Sequence, residues 1–113
     1  MTQYKFGDIV LVDFPFSDQT GTKRRPALVI QYDFDDDVLL ARITSKPKES
    51  ISDIQIGDWK GSKLLFPSTI RMGKLAAISA TLIERKIGDL PVTDKAEVLA
   101  ALDRLIVSLK EKF

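Results

Sequence analysis

The pattern of apolar and polar positions divides the chain into two parts. Up to about residue 90, short apolar runs alternate with turn residues, which is typical of β-strands. Strands are predicted at residues 7–16 (GDIVLVDFPF), 25–34 (RPALVIQYDF), 37–45 (DVLLARITS) and 51–56 (ISDIQI), with one or two more within 62–79, interrupted near Pro67 and Gly73. Residues 81–90 (TLIERKIGDL) are compatible with a helical turn or the end of a strand.

The C-terminal part has the period of a helix. Its apolar residues form a single stripe at helical spacing: Val98, Leu99, Leu102, Leu105, Ile106 and Leu109. Thr93 or Asp94 is a suitable N-cap, and Lys110 and Lys112 suit the negative end of the helix dipole. We therefore predict a mainly β domain with a C-terminal helix packed on a small antiparallel barrel or strongly bent sheet.

The composition is that of one globular domain over residues 1–113. Of these residues 44% are hydrophobic, enough for a core, and the apolar runs are far shorter than the roughly 18 residues of a membrane span. The N-terminal segment carries Lys5, Asp8 and Asp13 where a signal peptide would be apolar. We expect an intracellular, cytoplasmic protein with no membrane contact.

The residue types exclude several kinds of chemistry. The chain has no cysteine and no histidine, which removes disulfides, thiolate nucleophiles and the commonest zinc ligands. We expect no metal and no cofactor. Asp33, Asp35, Asp36 and Asp37 could supply oxygen ligands to a hard cation, but their position between two predicted strands favours a turn.

Positive charge is concentrated in the middle of the chain although the net charge is only +1. Residues 42–74 contain seven cations (Arg42, Lys46, Lys48, Lys60, Lys63, Arg71 and Lys74) and three acids (Glu49, Asp53 and Asp58). These cations form either one face suited to a polyanion or a scattered, solvated set. Counting alone favours the scattered arrangement.

The segment TGTKRRPALVI places three cations at the start of the second predicted strand. It ends a polar loop, predicted from Pro15 to Arg24, that is longer than a usual hairpin connection. Arg25 precedes a proline and is therefore held extended, which suits a fixed phosphate clamp. The alternatives are a solvated loop and an ion pair with the acids at 33–37.

One aromatic side chain also has two interpretations. Trp59, between two glycines, either stacks on a base or covers the core, and we favour the core.

Several motifs together resemble the MazF/PemK family of toxin–antitoxin endoribonucleases. These are GDIVLVDFPFSDQTGTKRRPALVI, ARITS, LLFPSTIRMGKLAAIS and IGDL, in the family's order over nearly the whole chain. The resemblance implies the compact CcdB/MazF-type, SH3-like barrel with a C-terminal helix. It also implies a homodimer, a cognate antitoxin protein across the RNA-binding surface, and metal-independent cutting of single-stranded RNA.

The resemblance also assigns roles to residues of this chain. Arg25 corresponds to the family's arginine before proline and Thr44 to its strand-end hydroxyl, which makes them the expected catalytic residues. The expected substrate-binding residues are Ser17, Asp18, Thr22, Lys23, Arg24 and Ser45. Some relatives have an arginine and an acid before the later proline, where this chain has Lys63, Leu64, Leu65 and Phe66.

The proton acceptor and the overall activity have alternatives. Asp18 and Asp13 are both candidates for the general base, and Asp13 could instead pair with Arg25. A non-catalytic barrel that binds nucleic acid or protein is the first rival function. The second is a CcdB-like toxin that poisons gyrase by protein contact, which would leave Arg25 dispensable.

Overall fold

The computed structural model describes residues 3–15, 22–32, 35–46 and 50–113, without the side chains of Pro15, Thr22 and Lys23. Six strands form one antiparallel sheet in the order β4-β5-β3-β2-β1-β6. The elements are β1 (Asp8–Pro15), β2 (Thr22–Gln31), β3 (Asp37–Thr44), β4 (Asp53–Gln55), β5 (Thr69–Ser79), a 3-10 turn (Ala80–Leu82), β6 (Ile83–Asp89) and α1 (Val92–Lys112). The predicted mainly β fold with a C-terminal helix is confirmed.

The second strand begins earlier than predicted. Its pairing with β1 continues to the pair Pro15↔Thr22, so that Lys23 and Arg24 belong to β2 and not to a loop. Two further ambiguities are resolved. Strand β5 runs without interruption through Gly73, and residues 83–89 form the edge strand β6 after a short 3-10 turn.

Both faces of the sheet are covered, which explains why β1 is apolar at consecutive positions. Ile9 and Leu28 belong to the core cluster on the helix side, and Val10 and Ala27 belong to a second cluster on the other face. Side chains alternate between the faces of a strand, so two buried faces require a continuous apolar run.

Helix α1 packs on the sheet through only part of its apolar stripe. Val98 and Ala101 are buried, whereas Leu105 and Leu109 are 46% and 59% exposed. The predicted N-cap is wrong, because Pro91 occupies the cap position and Asp94 lies buried in the first turn. No helix in the described residues is both long and apolar enough to cross a membrane.

The acidic segment between β2 and β3 forms the predicted turn where the structure describes it. Asp35 has a left-handed φ of 50°, and the carbonyl oxygen of Asp36 accepts a 2.7 Å hydrogen bond from the backbone N–H of Ala80. Aspartate tolerates this conformation better than most residues. Asp33 lies outside the described residues.

Candidate functional site

Arg25 and Thr44 meet at the wall between two pockets. Ala27 of β2 pairs with Arg42 of β3, and continuing this register by two residues sets Arg25 across from Thr44. Both residues line both pockets. We call the two the apolar pocket and the basic pocket, after the side chains that line them.

The apolar pocket has a volume of about 240 Å³ and lies between β1, β2, β3, β6 and the segment before β5. Its apolar lining consists of Leu11, Pro26, Ile43, Leu64, Leu65, Phe66 and Ile87, and its polar lining of Arg24, Arg25, Thr44, Ser45, Lys63 and Ser68. Leu65 and Phe66 are 82% and 61% exposed, so two large apolar side chains at this pocket are open to a ligand.

A tightly tied turn at residues 57–63 leads into one wall of the apolar pocket. The Asp94 carboxylate accepts hydrogen bonds from the backbone N–H groups of Gly57 (2.9 Å) and Asp58 (3.4 Å). Asp58 in turn accepts one from the backbone N–H of Gly61 at 2.9 Å. Asp94 was expected to cap its own helix, and its actual partners lie far away in the sequence.

Trp59, within that turn, covers the core as predicted. Its side chain is half-buried against the cluster on the helix side of the sheet. The ammonium nitrogen of Lys60 lies 5.4 Å from the centroid of its ring. Trp59 therefore stabilises the turn.

The basic pocket has a volume of about 170 Å³ and is lined by five cations: Arg25, Arg42, Lys46, Arg71 and Lys74. Four of these belong to the seven cations of residues 42–74. The interpretation that those charges scatter over the surface is therefore wrong. Arg42, Thr44 and Lys46 occupy alternate positions. This spacing, which brings side chains to one face of a strand, was the signal that could have identified the pocket.

One carboxylate lies beside the basic pocket. Asp53 accepts a 3.1 Å hydrogen bond from Nε of Arg71 and another from the backbone N–H of Ser50. Burial opposes ionisation of Asp53, but the hydrogen bonds from Ser50 and Arg71 outweigh it and hold its pKa below the ordinary value. Asp53 is thus a charged partner of Arg71.

Arg24 has different surroundings from Arg25. Its Nε lies 2.7 Å from Oε2 of Glu84 on β6 and 3.4 Å from Oδ1 of Asp13 on β1. Asp13 therefore pairs with Arg24, and the alternative that it pairs with Arg25 is wrong. Glu84 was not expected at the site, because nothing local in the sequence indicates that β6 lies beside β1.

The hydroxyl of Thr44 has a defined hydrogen bond. Its Oγ1 accepts one from the backbone N–H of Lys46 at 3.1 Å. A hydroxyl can donate one hydrogen bond and accept two, so this contact leaves its proton free to donate. Ser45 is exposed and lines the apolar pocket beside it.

The other expected site residues cannot be placed. Ser17 and Asp18 lie outside the described residues, as do the side chains of Thr22 and Lys23. Where the chain is described, no carboxylate lines either pocket. Within the same residues, no group of three or more metal-ligating side chains could hold a metal ion.

A family model and several solved structures match the chain. The solved structures are a mycobacterial endoribonuclease in complex with its cognate antitoxin (12% identity, 92% of this chain and 95% of that one, TM-score 0.75), Mycobacterium tuberculosis toxin MazF-mt6 (17%, 84% and 93%, 0.67) and MazE–MazF from Deinococcus radiodurans (17%, 94% and 97%, 0.71). Similarity at this identity establishes the fold. No curated protein sequence matches. The family model, "PemK-like, MazF-like toxin of type II toxin-antitoxin system", matches residues 5–106, and the chain therefore belongs to this family.

Proposed function

We propose that this toxin is a metal-independent endoribonuclease that cuts single-stranded RNA at short sequences. One observation carries the proposal: a guanidinium and a hydroxyl, from Arg25 and Thr44, meet where a basic pocket joins an apolar one. A basic pocket suits phosphate groups, and an apolar pocket suits a base. The solved structures with this fold include a protein named as an endoribonuclease, which agrees with this activity.

The proposed reaction uses the substrate's own nucleophile. The 2′-hydroxyl oxygen attacks the adjacent phosphorus as the bond from phosphorus to the 5′-oxygen breaks. The 2′-hydroxyl gives up its proton, and the departing 5′-oxygen gains one. The products are a 2′,3′-cyclic phosphate and a 5′-hydroxyl. DNA lacks the attacking hydroxyl and should not be cut.

Arg25 stabilises the charge that develops on the phosphate. It is half-buried on a strand and precedes a proline, so its guanidinium is held near one position. A fixed cationic donor acts on the transition state without reorganising, and losing one donor typically costs about 100- to 1000-fold in rate. The free hydroxyl proton of Thr44 serves as a second donor to a nonbridging oxygen.

Asp18 is our candidate for the group that accepts the proton of the 2′-hydroxyl. Arginine stays protonated near neutral pH, which excludes Arg25 from that role. Asp13 is engaged by Arg24, so the first loop retains the other candidate. Asp18→Asn should therefore lower the single-turnover rate without weakening binding of the RNA.

The remaining expected residues would hold the strand. Ser17, Thr22 and Ser45 supply hydrogen-bonding groups, and Lys23 attracts phosphate. Arg24 has two carboxylate neighbours that offset its charge, so its contribution to phosphate attraction should be smaller than that of Lys23.

A cognate antitoxin is the proposed regulator, and a homodimer is the proposed working form. Two of the proteins with this fold are described in complex with an antitoxin or as a MazE–MazF pair. An antitoxin segment with apolar and acidic side chains would suit the exposed apolar residues and the neighbouring cations. The cytoplasm is the expected compartment, because the substrate and the antitoxin are there.

The decisive experiment is cleavage of a mixed-sequence single-stranded RNA by wild-type protein and Arg25→Ala, in the presence of chelator. Wild-type protein should leave cyclic-phosphate ends, Arg25→Ala should lose at least about 100-fold in rate, and matched DNA should survive. Arg104→Ala, an exposed arginine on α1, is the control and should keep its activity. Inhibition by chelator would contradict the metal-independent reaction.

One observation favours a second function, that of a non-catalytic nucleic-acid-binding toxin. In the described part of the chain, no acid lines the two pockets that could take up a proton. Folded wild-type protein that binds single-stranded RNA without cutting it would support this alternative over the nuclease.

A further inference from the structure

Two arginines of the basic pocket lie directly opposite each other on neighbouring strands. Arg42 of β3 pairs with Arg71 of β5 in the sheet register. Like charges at directly opposed positions destabilise a sheet. The guanidinium carbon of Arg42 is also 5.2 Å from the centroid of the Phe14 ring, so this side chain has a defined position. Such a pair is unfavourable by itself and becomes favourable when an anion binds between its members.

An irregularity in β5 brings a third cation to the same place. Ala41 pairs with Leu75 while its neighbour Arg42 pairs with Arg71, so residues 72–74 of β5 have no counterpart on β3. Bulged segments re-aim side chains and occur beside active sites. Lys74 lies in this segment and lines the basic pocket.

The positive charge of the pocket is only partly compensated in the described residues. Five cations line it, and the neighbouring carboxylate of Asp53 is already bonded to Arg71 and Ser50. The pocket volume of about 170 Å³ is below the roughly 300–1,000 Å³ of typical small-molecule sites. A single phosphate group therefore suits it better than a whole nucleotide.

We propose that the basic pocket is a second phosphate subsite, which holds a phosphate adjacent to the one cleaved. This inference rests on the proposed ribonuclease function and adds the path of the substrate backbone. The scissile phosphate lies at Arg25 and Thr44, on the wall shared by the two pockets. One neighbouring phosphate lies among Arg42, Arg71 and Lys74, and a base beside the scissile phosphate occupies the apolar pocket.

The test measures binding and chemistry separately. A single-stranded RNA containing the cut sequence, with a 2′-deoxynucleotide at the cleaved position, is titrated with full-length protein over a range of salt concentrations. Lys74→Gln should reduce the slope of log K against log [salt] by about 0.7, the value for one lost phosphate contact on a single strand. Lys110→Gln, an exposed lysine near the end of α1, should leave the slope unchanged.

A neutral methylphosphonate at the neighbouring phosphate identifies the contact. In wild-type protein, the substitution on one side of the cut should weaken binding and lower the slope. On that side, Lys74→Gln should show no further loss, because variant and substitution remove the same interaction. On the other side the two effects should add. Thermal unfolding of Lys74→Gln should occur at or above the wild-type temperature, because one of five neighbouring like charges is gone.

The outcomes separate this inference from the function on which it rests. Additive effects on both sides, or a Lys74→Gln slope equal to that of Lys110→Gln, would overturn the second subsite and leave the nuclease intact. Absence of cyclic-phosphate products from wild-type protein on unmodified RNA would overturn the nuclease. Non-additive binding on one side would then still assign the subsite to a nucleic-acid-binding toxin.

Discussion

The carboxylate of Asp94, in the first turn of α1, accepts a 2.9 Å hydrogen bond from the backbone N–H of Gly57, 37 residues earlier in the chain. A second backbone N–H, that of Asp58, points to the same carboxylate. The turn that begins there leads to Leu64, Leu65 and Phe66 in the apolar pocket. The helix is thus joined to the candidate site through one acidic side chain.

Replacing Asp94 by alanine should therefore destabilise the protein. The change leaves two backbone N–H groups without their acceptor, and an unsatisfied buried group costs about 1–3 kcal/mol. Urea unfolding measures the loss, with Asp103→Ala, an exposed acid on the same helix, as the control. Equal stability of the two variants would show that the Asp94 hydrogen bonds contribute nothing.

Glycine is required at position 88 for a steric reason. A Cβ there would collide with the backbone carbonyl oxygen of Ser62, which cannot move as a side chain can. Gly88→Ala should cost about 1–3 kcal/mol of the free energy of unfolding. Gly73→Ala is the matched control, since its Cβ would meet only the Ser52 side chain. The idea fails if Gly88→Ala is as stable as Gly73→Ala.

The hydroxyl of Thr44 should matter for rate more than for folding. Thr44→Val keeps the shape of the side chain but removes the proton that we assign to the transition state, so single-turnover cleavage should fall about 100-fold. Thr44→Ser retains the hydroxyl and should recover most of the rate. A serine variant as slow as the valine variant would assign Thr44 a packing role instead.

Asp53 should make stability depend on pH in the acid range. Its folded pKa lies below the unfolded value of about 3.9, so its contribution is present above that pH and is lost as the pH falls through the folded pKa. Asp53→Asn should be less stable than wild type at pH 7, and the gap should close below about pH 3. Urea unfolding at several pH values tests this. A gap that stays constant with pH would attribute the loss to packing.

The exposed apolar face of α1 should form part of the proposed dimer interface. Leu105, Ile106 and Leu109 are each about half exposed in the single chain, and contiguous exposed apolar residues mark interaction sites. The double variant Leu105→Glu, Leu109→Glu should elute as a monomer, with its mass checked by light scattering. Val92→Glu, an exposed apolar residue at the other end of the helix, should remain a dimer. Dimers of the double variant would place the interface elsewhere.

Local pattern was sufficient for the strands and for the central pair of the site. Arg25 before proline and the ITS sequence at 43–45 identified two residues that the register then brings to one wall. The boundary of β2 was missed because cations suggested a loop, whereas pairing with β1 extends the strand to Thr22.

Other features depend on contacts between distant segments and have no local signal. Glu84 reaches Arg24 only because the edge strand β6 lies beside β1. Asp94 looked like a helix cap because its local sequence is that of a cap, and its partners at residues 57–58 are visible only after folding. Arg71 joins Arg42 through strand pairing across the irregular part of β5.

The pairing of β6 with β1 also has a consequence for how the protein is made. The outer edge of the first strand is completed by the last strand, from Asp8↔Asp89 to Val12↔Ile83, and Ile87 of that last strand lines the apolar pocket. Contacts between distant segments form late, because the intervening chain must first be available. A growing chain on the ribosome therefore has no complete pocket until nearly all of it has been synthesised, and the unfinished toxin lacks one wall of the surface that it needs.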